Sequence, residues 1–259
     1  MKAPPGSGTD LPGALQAQVL HGVLPYLQSI HGKTFVVVCE GAVLEDPALR
    51  SGLGRDVALL HLVGLRLVLL NSGSFASMSA LSHEHEDLVA VVNQHGCRAI
   101  GITGSDGGAA GLAGGLVQRL HAKGFVPVIM PVLLDARGQR ELADADRLAA
   151  DLARELRAEK LLFIGDAPGA LSRDGRLLAD LTERQIKARG RAGTIEGATL
   201  ARLQAATHAV SGGVNAVHII DGHRLHALLL ELLGGASGGT TVLPDKAMHF
   251  MDDSRRYMG

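Results

Sequence analysis

The chain has 259 residues, of which 46% are hydrophobic and 20% charged, with 25 basic residues against 26 acidic ones and a formal net charge of −1. That balance describes a folded globular protein with one substantial core and excludes disorder as its main state. Only 3% of the residues are aromatic and positive charge is not in excess, so the field and stacking surface that nucleic-acid binding requires are both missing.

Residues 11–30 place apolar side chains at Leu15, Val19, Leu20, Val23, Leu24 and Leu27, a period that predicts an amphipathic helix with Pro25 near its end. The β-branched run 34–39 is long enough for a buried strand and stops at Gly41. Residues 56–63 read as helix and 65–70 as a second buried strand, ended by Asn71, Ser72, Gly73 and Ser74. The alternation continues with helix 88–95 before strand 99–103, helix 115–123 before strand 126–134, and helix 147–157 before strand 160–164. Helix 203–211 then precedes strand 216–220, and helix 226–233 precedes a short strand at 240–243. Short helices alternating with continuous apolar strands predict an α/β protein with a mainly parallel sheet covered on both faces and right-handed crossovers.

In such sheets ligands bind at the carboxyl ends of the strands, where this chain concentrates Gly, Ser, Asn and Asp at 71–74, 103–108, 165–169 and 221–222. Small residues suit any tight turn for backbone reasons, but four such loops on one sheet edge point to a ligand. Cys39 and Cys97 lie in apolar strand-like runs outside any CxxC or Cys/His frame, which predicts buried thiols. No apolar run approaches the roughly 18–20 residues that span a bilayer, and residues 1–10 lack a secretory pattern; the expectation is a cytoplasmic protein without a membrane partner.

Other polar groups have plainer readings. His83, Glu84, His85, Glu86 and Asp87 are the densest metal-capable set, but acidic residues also favour a solvated helix start, and no metal site is assigned. Asp144, Asp146 and Asp151 serve equally well as a helix N-terminus or as part of a site. His218 reads as a satisfied core histidine, His226 and Glu231 as the polar edge of a last helix, residues 182–191 as solvated surface, and 246–259 as a loosely packed tail.

Several segments resemble one family. Residues 24–37, 56–70, 158–171 and above all 212–222, with His226 to Glu231 and Gly238 to Thr240, are similar to N-acetylglutamate kinases and to the kinase-like domain of N-acetylglutamate synthases. The resemblance covers nearly the whole chain. It implies a three-layer αβα sandwich of the amino-acid-kinase type, a single domain over 1–259. Residues 11–135 would form the acyl-substrate half and dimer side, 136–245 the nucleotide half, and 246–259 a tail. It further implies ATP and Mg²⁺, a small-molecule ligand such as N-acetylglutamate, a nucleotide or arginine, and a homodimer or larger homo-oligomer.

By the same resemblance Asp146 and Arg202 hold the catalytic positions. Asn71, Ser72, Gly73 and Ser74 hold the substrate loop, and Gly41, Gly165, Asp166 and Gly169 line the nucleotide. Phosphorylating a carboxylate brings two anions together, so the site needs cations, backbone N–H donors and an organising carboxylate. Against that demand the family's first lysine aligns with Val38 and one of its glycines with Glu40. Its glycine-rich second loop retains only Gly73, its two asparagines near Asp146 align with Leu142 and Asp144, and its second lysine aligns with Arg202. The family's hairpin lid, with its Asn-Gly-x-Arg-Val-Thr motif, has no counterpart between Ser74 and Gly96, and a second shortening falls at 105–115. Two readings follow: an acetylglutamate kinase of arginine biosynthesis with weak or lost activity, or a silent relative that binds a metabolite or nucleotide as a regulatory or assembly subunit.

Overall fold

The computed structural model describes residues 13–73, 77–107, 113–233 and 238–245. Residues 1–31 and 32–259 form two compact units. In the first, helix α1 (Gly13–Ile30) carries Pro25 within its C-terminal part, as expected.

In the second unit the alternation predicted from sequence holds. Strands β1 (Thr34–Cys39), β2 (Arg66–Asn71), β3 (Ala99–Thr103), β4 (Val126–Met130), β7 (Lys160–Gly165), β9 (Ala216–Asp221), β10 (Thr240–Leu243) and β8 (Asp180–Thr182) form one sheet in the order β3-β4-β2-β1-β7-β9-β10-β8. The first six are mutually parallel, and β10 runs antiparallel to β9. A separate hairpin joins β5 (Val132–Leu134) to β6 (Arg140–Leu142); the predicted strand 126–134 is thus split at Pro131, which has no N–H to offer a ladder. Continuous apolar runs in the strands are buried on both faces, which makes the fold the expected αβα sandwich.

On one face Val36, Val38, Leu161 and Phe163 pack beneath α6 (Ala145–Glu155) and α8 (Gly197–Ser211). Those helices meet through Ala149, Ala150 and Ala153 of α6 and Ala205, Ala206 and Ala209 of α8, residues small enough for close approach. The other face lies under α3 (Pro47–Leu62) and α4 (Met78–Gln94). Both begin about ten residues earlier than apolar period alone suggests, because capping starts them. Asp46 accepts from the Ala48 and Leu49 amides at 2.7 and 3.1 Å with Pro47 in the first turn, and Ser77 accepts from the Ala80 amide at 3.2 Å. Helix α7 (Glu183–Arg191), expected to be plain surface, is started by a capping box between Thr182 and Gln185.

Three further expectations change. The stretch from His83 to Asp87 lies inside α4 rather than at its start, and His85 is buried, which lowers its pKa. Among the described residues no group of three or more His, Cys, Asp or Glu side chains is placed to hold a metal ion. Glu231, on helix α9 (Ala227–Leu233), is not a polar edge: its carboxylate is 4% exposed and lies 2.6 Å from His218 Nδ1 inside β9. His226 adopts a left-handed φ of 62° and brings Nδ1 within 2.6 Å of Asp56, a carboxylate of α3 that is 1% exposed. Both cysteines are buried thiols, and burial pushes Cys39 up to about 12. No described helix is long and apolar enough to cross a membrane.

The carboxylate of Asp144 accepts from the Arg147 amide at 3.0 Å and caps α6, the helix that carries Asp146. Replacing that cap, Asp144→Ala, is expected to lower unfolding free energy by about 1 kcal/mol while Asp144→Asn stays close to wild type, as read from denaturant midpoints.

Candidate functional site

The carboxyl ends of β1, β2 and β7 open into a cleft of about 540 Å³ lined by Glu40, Ser72, Gly73, Asp146, Asp166 and Arg202, among others. A second cavity of about 300 Å³ adjoins it, sharing Glu40, Asp166, Ala198 and Arg202 and adding Gly165, Gly169 and Thr199. The sheet edge singled out by its small-residue loops therefore carries two adjoining cavities.

At the boundary of the two cavities sits Arg202, presented by α8. Its guanidinium forks onto both oxygens of Glu40, with Nη2 donating to Oε2 at 2.7 Å and Nη1 to Oε1. Its Nε donates to Asp146 at 2.8 Å. Behind it lies the Phe163 ring of β7, with the guanidinium carbon 5.4 Å from the ring centroid. The planar fork fills its donor directions with two carboxylates and its face with an aromatic ring, which a lysine could not do. Burial disfavours the cation, but the bonds from Glu40 and the charge of Asp146 outweigh it and raise the pKa of Arg202. Glu40 reaches this point because its amide donates to Ile164 O at 3.0 Å, which fixes the backbone directly after β1. Glu40 thus turns its carboxylate into the cleft.

The remaining walls are negative. Glu40, Glu45, Glu84, Asp144, Asp146 and Asp166 face the cleft, against which Arg202 is the one cation among the described residues. Burial raises the pKa of Asp146; Arg202 offsets this only in part, and Glu40 and Asp144 add to it. Burial also raises Glu84, with the charge of Glu45 adding. Among the described residues no lysine lines the cleft, and Val38 is buried in β1.

The loops expected to meet a nucleotide are built as tight backbone. Gly41 has φ 58°, and a Cβ there would strike the Asp166 carboxylate, which accepts from the Ala42 amide at 2.8 Å. Gly169 has φ 157°, with Thr240 against it; the Thr240 hydroxyl accepts from the Ala170 amide at 2.8 Å and pins the loop to β10. Ala198 and Thr199 come from the first turn of α8, where backbone N–H groups have no intrahelical acceptor. Gly41, Gly165, Asp166 and Gly169 are thereby brought together.

The substrate loop divides. Ser72 and Gly73 line the cleft, whereas Asn71 is fully buried at the end of β2, with Oδ1 3.3 Å from His85 Nδ1. Ser74 lies outside the described residues. Because β2 ends at Asn71 and α4 starts at Met78, only residues 72–77 join them, too few for a hairpin lid plus its connections. Glu45, Glu84, Phe163 and Thr240 went unassigned in the sequence, since nothing local marks a residue that meets its partner only through the fold.

Residues 27–221 match the model of the amino acid kinase family. The acetylglutamate kinase of Polynucleobacter asymbioticus is 32% identical over 289 aligned residues, spanning 90% of this chain and 96% of that kinase. That of Polaromonas naphthalenivorans is 33% identical, spanning 88% and 92%. Among solved structures, the fold matches an N-acetylglutamate synthase from Neisseria gonorrhoeae complexed with coenzyme A and N-acetyl-glutamate, with a TM-score of 0.72 at 20% identity over 88% of this chain. This chain spans 63% of that synthase's length. A carbamate kinase from Giardia lamblia bound to AMP-PNP matches with a TM-score of 0.64 at 14% identity, over 83% of this chain and 99% of that one. With a family match over three quarters of its length and kinase relatives aligned nearly end to end, this chain belongs to the amino acid kinase family.

Proposed function

We propose that this chain is an acetylglutamate-kinase-like protein of the arginine-biosynthetic branch whose phosphoryl transfer is weak or lost, and which serves as a binder of a metabolite or nucleotide. One observation carries the reading: the cation that should meet the transferred phosphoryl group, Arg202, is already forked by Glu40 and held by Asp146. A phosphoryl group entering the cleft would have to displace Glu40 and would meet six carboxylates. Removing one preorganised donor costs about 10²–10³ in rate, and here a lysine, a lid and much of a glycine loop are altered together.

In this reading the loop 165–169 and the start of α8 receive the nucleotide, and Ser72 and Gly73 touch the second ligand. Asp146 positions Arg202. Mg²⁺ would travel on the nucleotide phosphates, since the described residues offer no cluster to hold it alone. The reading includes a cytoplasmic homodimer or larger homo-oligomer.

A coupled ADP-release assay with N-acetylglutamate and Mg-ATP, run beside calorimetry with ATP, N-acetylglutamate and arginine, tests the proposal. Binding without turnover above background is expected; robust turnover would overturn it. Restoring the family glycine with Glu40→Gly frees the Arg202 fork and removes one negative charge, and is expected to tighten binding of a non-hydrolysable ATP analogue by about tenfold. The same titration across pH has a defined sign. Asp146 and Glu84 both take up protons above the ordinary carboxylate range. The cleft therefore loses negative charge as pH falls through their raised pKa values, and nucleotide affinity should be greater at pH 5 than at pH 8. Asp146→Asn should flatten part of that dependence.

A further inference from the structure

Helices α7 and α8 lie antiparallel. Ser211 at the end of α8 donates through Oγ to Glu183 Oε2 at the start of α7, at 2.8 Å, while Gly190 near the end of α7 lies against Leu200 near the start of α8, where a Cβ on the glycine would come within 3.1 Å of Leu200 Cδ1. Between the helices runs a groove of about 560 Å³, a volume usual for a small-molecule site, that shares no lining residue with either cavity of the cleft. Its floor is apolar, formed by Leu200, Gly190 and Ile186, the last only 1% exposed.

The two ends of the groove differ in charge. At the start of α7 the Glu183 carboxylate is satisfied, with Lys187 on Oε1 and Ser211 on Oε2, and His208 on the same side is bonded to Asp151 at 2.6 Å. At the opposite end Arg191 lines the groove and is exposed, with no carboxylate bonded to it among the described residues. Between the ends stands Thr207, whose hydroxyl is enclosed and has no hydrogen-bond partner. Enclosed hydroxyls in folded proteins are as a rule paired, so the groove offers a bond that the chain itself does not make. Thr207 lies seven residues, about 10.5 Å of helix, from Leu200 at the Arg191 end.

We infer that this groove binds a medium-chain carboxylate with a hydroxyl or carbonyl oxygen at its far end. The carboxylate meets Arg191, the aliphatic body lies over Ile186 and Leu200, and the far oxygen bonds to the Thr207 hydroxyl. Charge fixes the direction, since a ligand turned round would bring its carboxylate to Glu183, whose cation is already engaged. Length fits as well. Three backbone bonds of an extended chain cover about 3.6 Å, or about 1.2 Å each, so the nine bonds between the terminal oxygens of an eight-carbon hydroxy acid cover about 11 Å. The site lies on the outer side of α8 and is independent of whatever the cleft binds.

Calorimetry with 8-hydroxyoctanoate, octanoate and octane-1,8-diol, beside hydrogen exchange on the full chain, tests this. 8-Hydroxyoctanoate should bind and slow exchange of the α7 amides while those of β1 and β7 do not change. The diol lacks the charge and should bind at least about tenfold more weakly, and Arg191→Gln, a change at an exposed residue, should erase the difference between acid and diol. Thr207→Val keeps the shape of the side chain and removes the hydroxyl; it should weaken the hydroxy acid about fivefold and leave octanoate unchanged. Absence of binding by 8-hydroxyoctanoate at millimolar concentration would overturn the inference. So would affinity that Arg191→Gln leaves untouched, equal affinity for octanoate and its hydroxy derivative, or protection at β1 and β7 in place of α7, which would put the acid in the cleft.

Discussion

The ion cluster of Glu40, Arg202 and Asp146 joins the end of β1, the start of α6 and the first half of α8 at one point on the sheet edge. Its contribution to net stability is small, because taking three charges out of water costs about as much as their attraction returns. Its importance is directional. Removing one partner strands the others, so the guanidinium has one arrangement in which all its charges are matched, and the cleft is held open around that arrangement. The Phe163 ring behind it and the fixed backbone at Glu40 support Arg202 in this arrangement.

A phosphoryl-transfer site needs positive charge that is placed but not consumed. In this cleft the charge is placed and consumed. The backbone parts of the site are held by packing, as Gly41 and the loop pinned by Thr240 illustrate. That pattern has a physical reason: the glycines and the β7 loop are also packing elements, with Asp166 and Thr240 pressed against them, so the fold retains them whatever the chemistry. A lysine in the cleft has no such structural duty.

How much of this was legible in the sequence follows the range of each interaction. Strands β1 and β7 were readable to within a residue because each is a continuous apolar run that must be buried, and β3, at the sheet's edge and only partly buried, was marked by its short apolar run. The starts of α3 and α4 were not, since Asp46 with Pro47 and Ser77 act through a few capping bonds that lie outside the apolar period. Helix α7 escaped notice because only Ile186 of its nine residues is buried. At the site, Asp146, Arg202 and the glycines were found through resemblance, and Glu40 was visible as an intruding charge. Its embrace of a residue 162 positions away was not, nor was the meeting of Asp56 with His226 across 170. Those contacts exist only once the sheet order is known.

The placement of β1 at the middle of the sheet has a cost during synthesis. Its flanking strands are β2, which follows within about thirty residues, and β7, which ends at Gly165. Until residue 165 has left the ribosome, the run Phe35 to Cys39 keeps one backbone edge unsatisfied, and α8, which covers its apolar side chains, follows later still. A ribosome adding about 5–20 residues per second leaves that edge bare for several seconds at least, ample time for sticky encounters between unfinished chains. The central position of β1 thus defers completion of the sheet until the second half of the chain has been made.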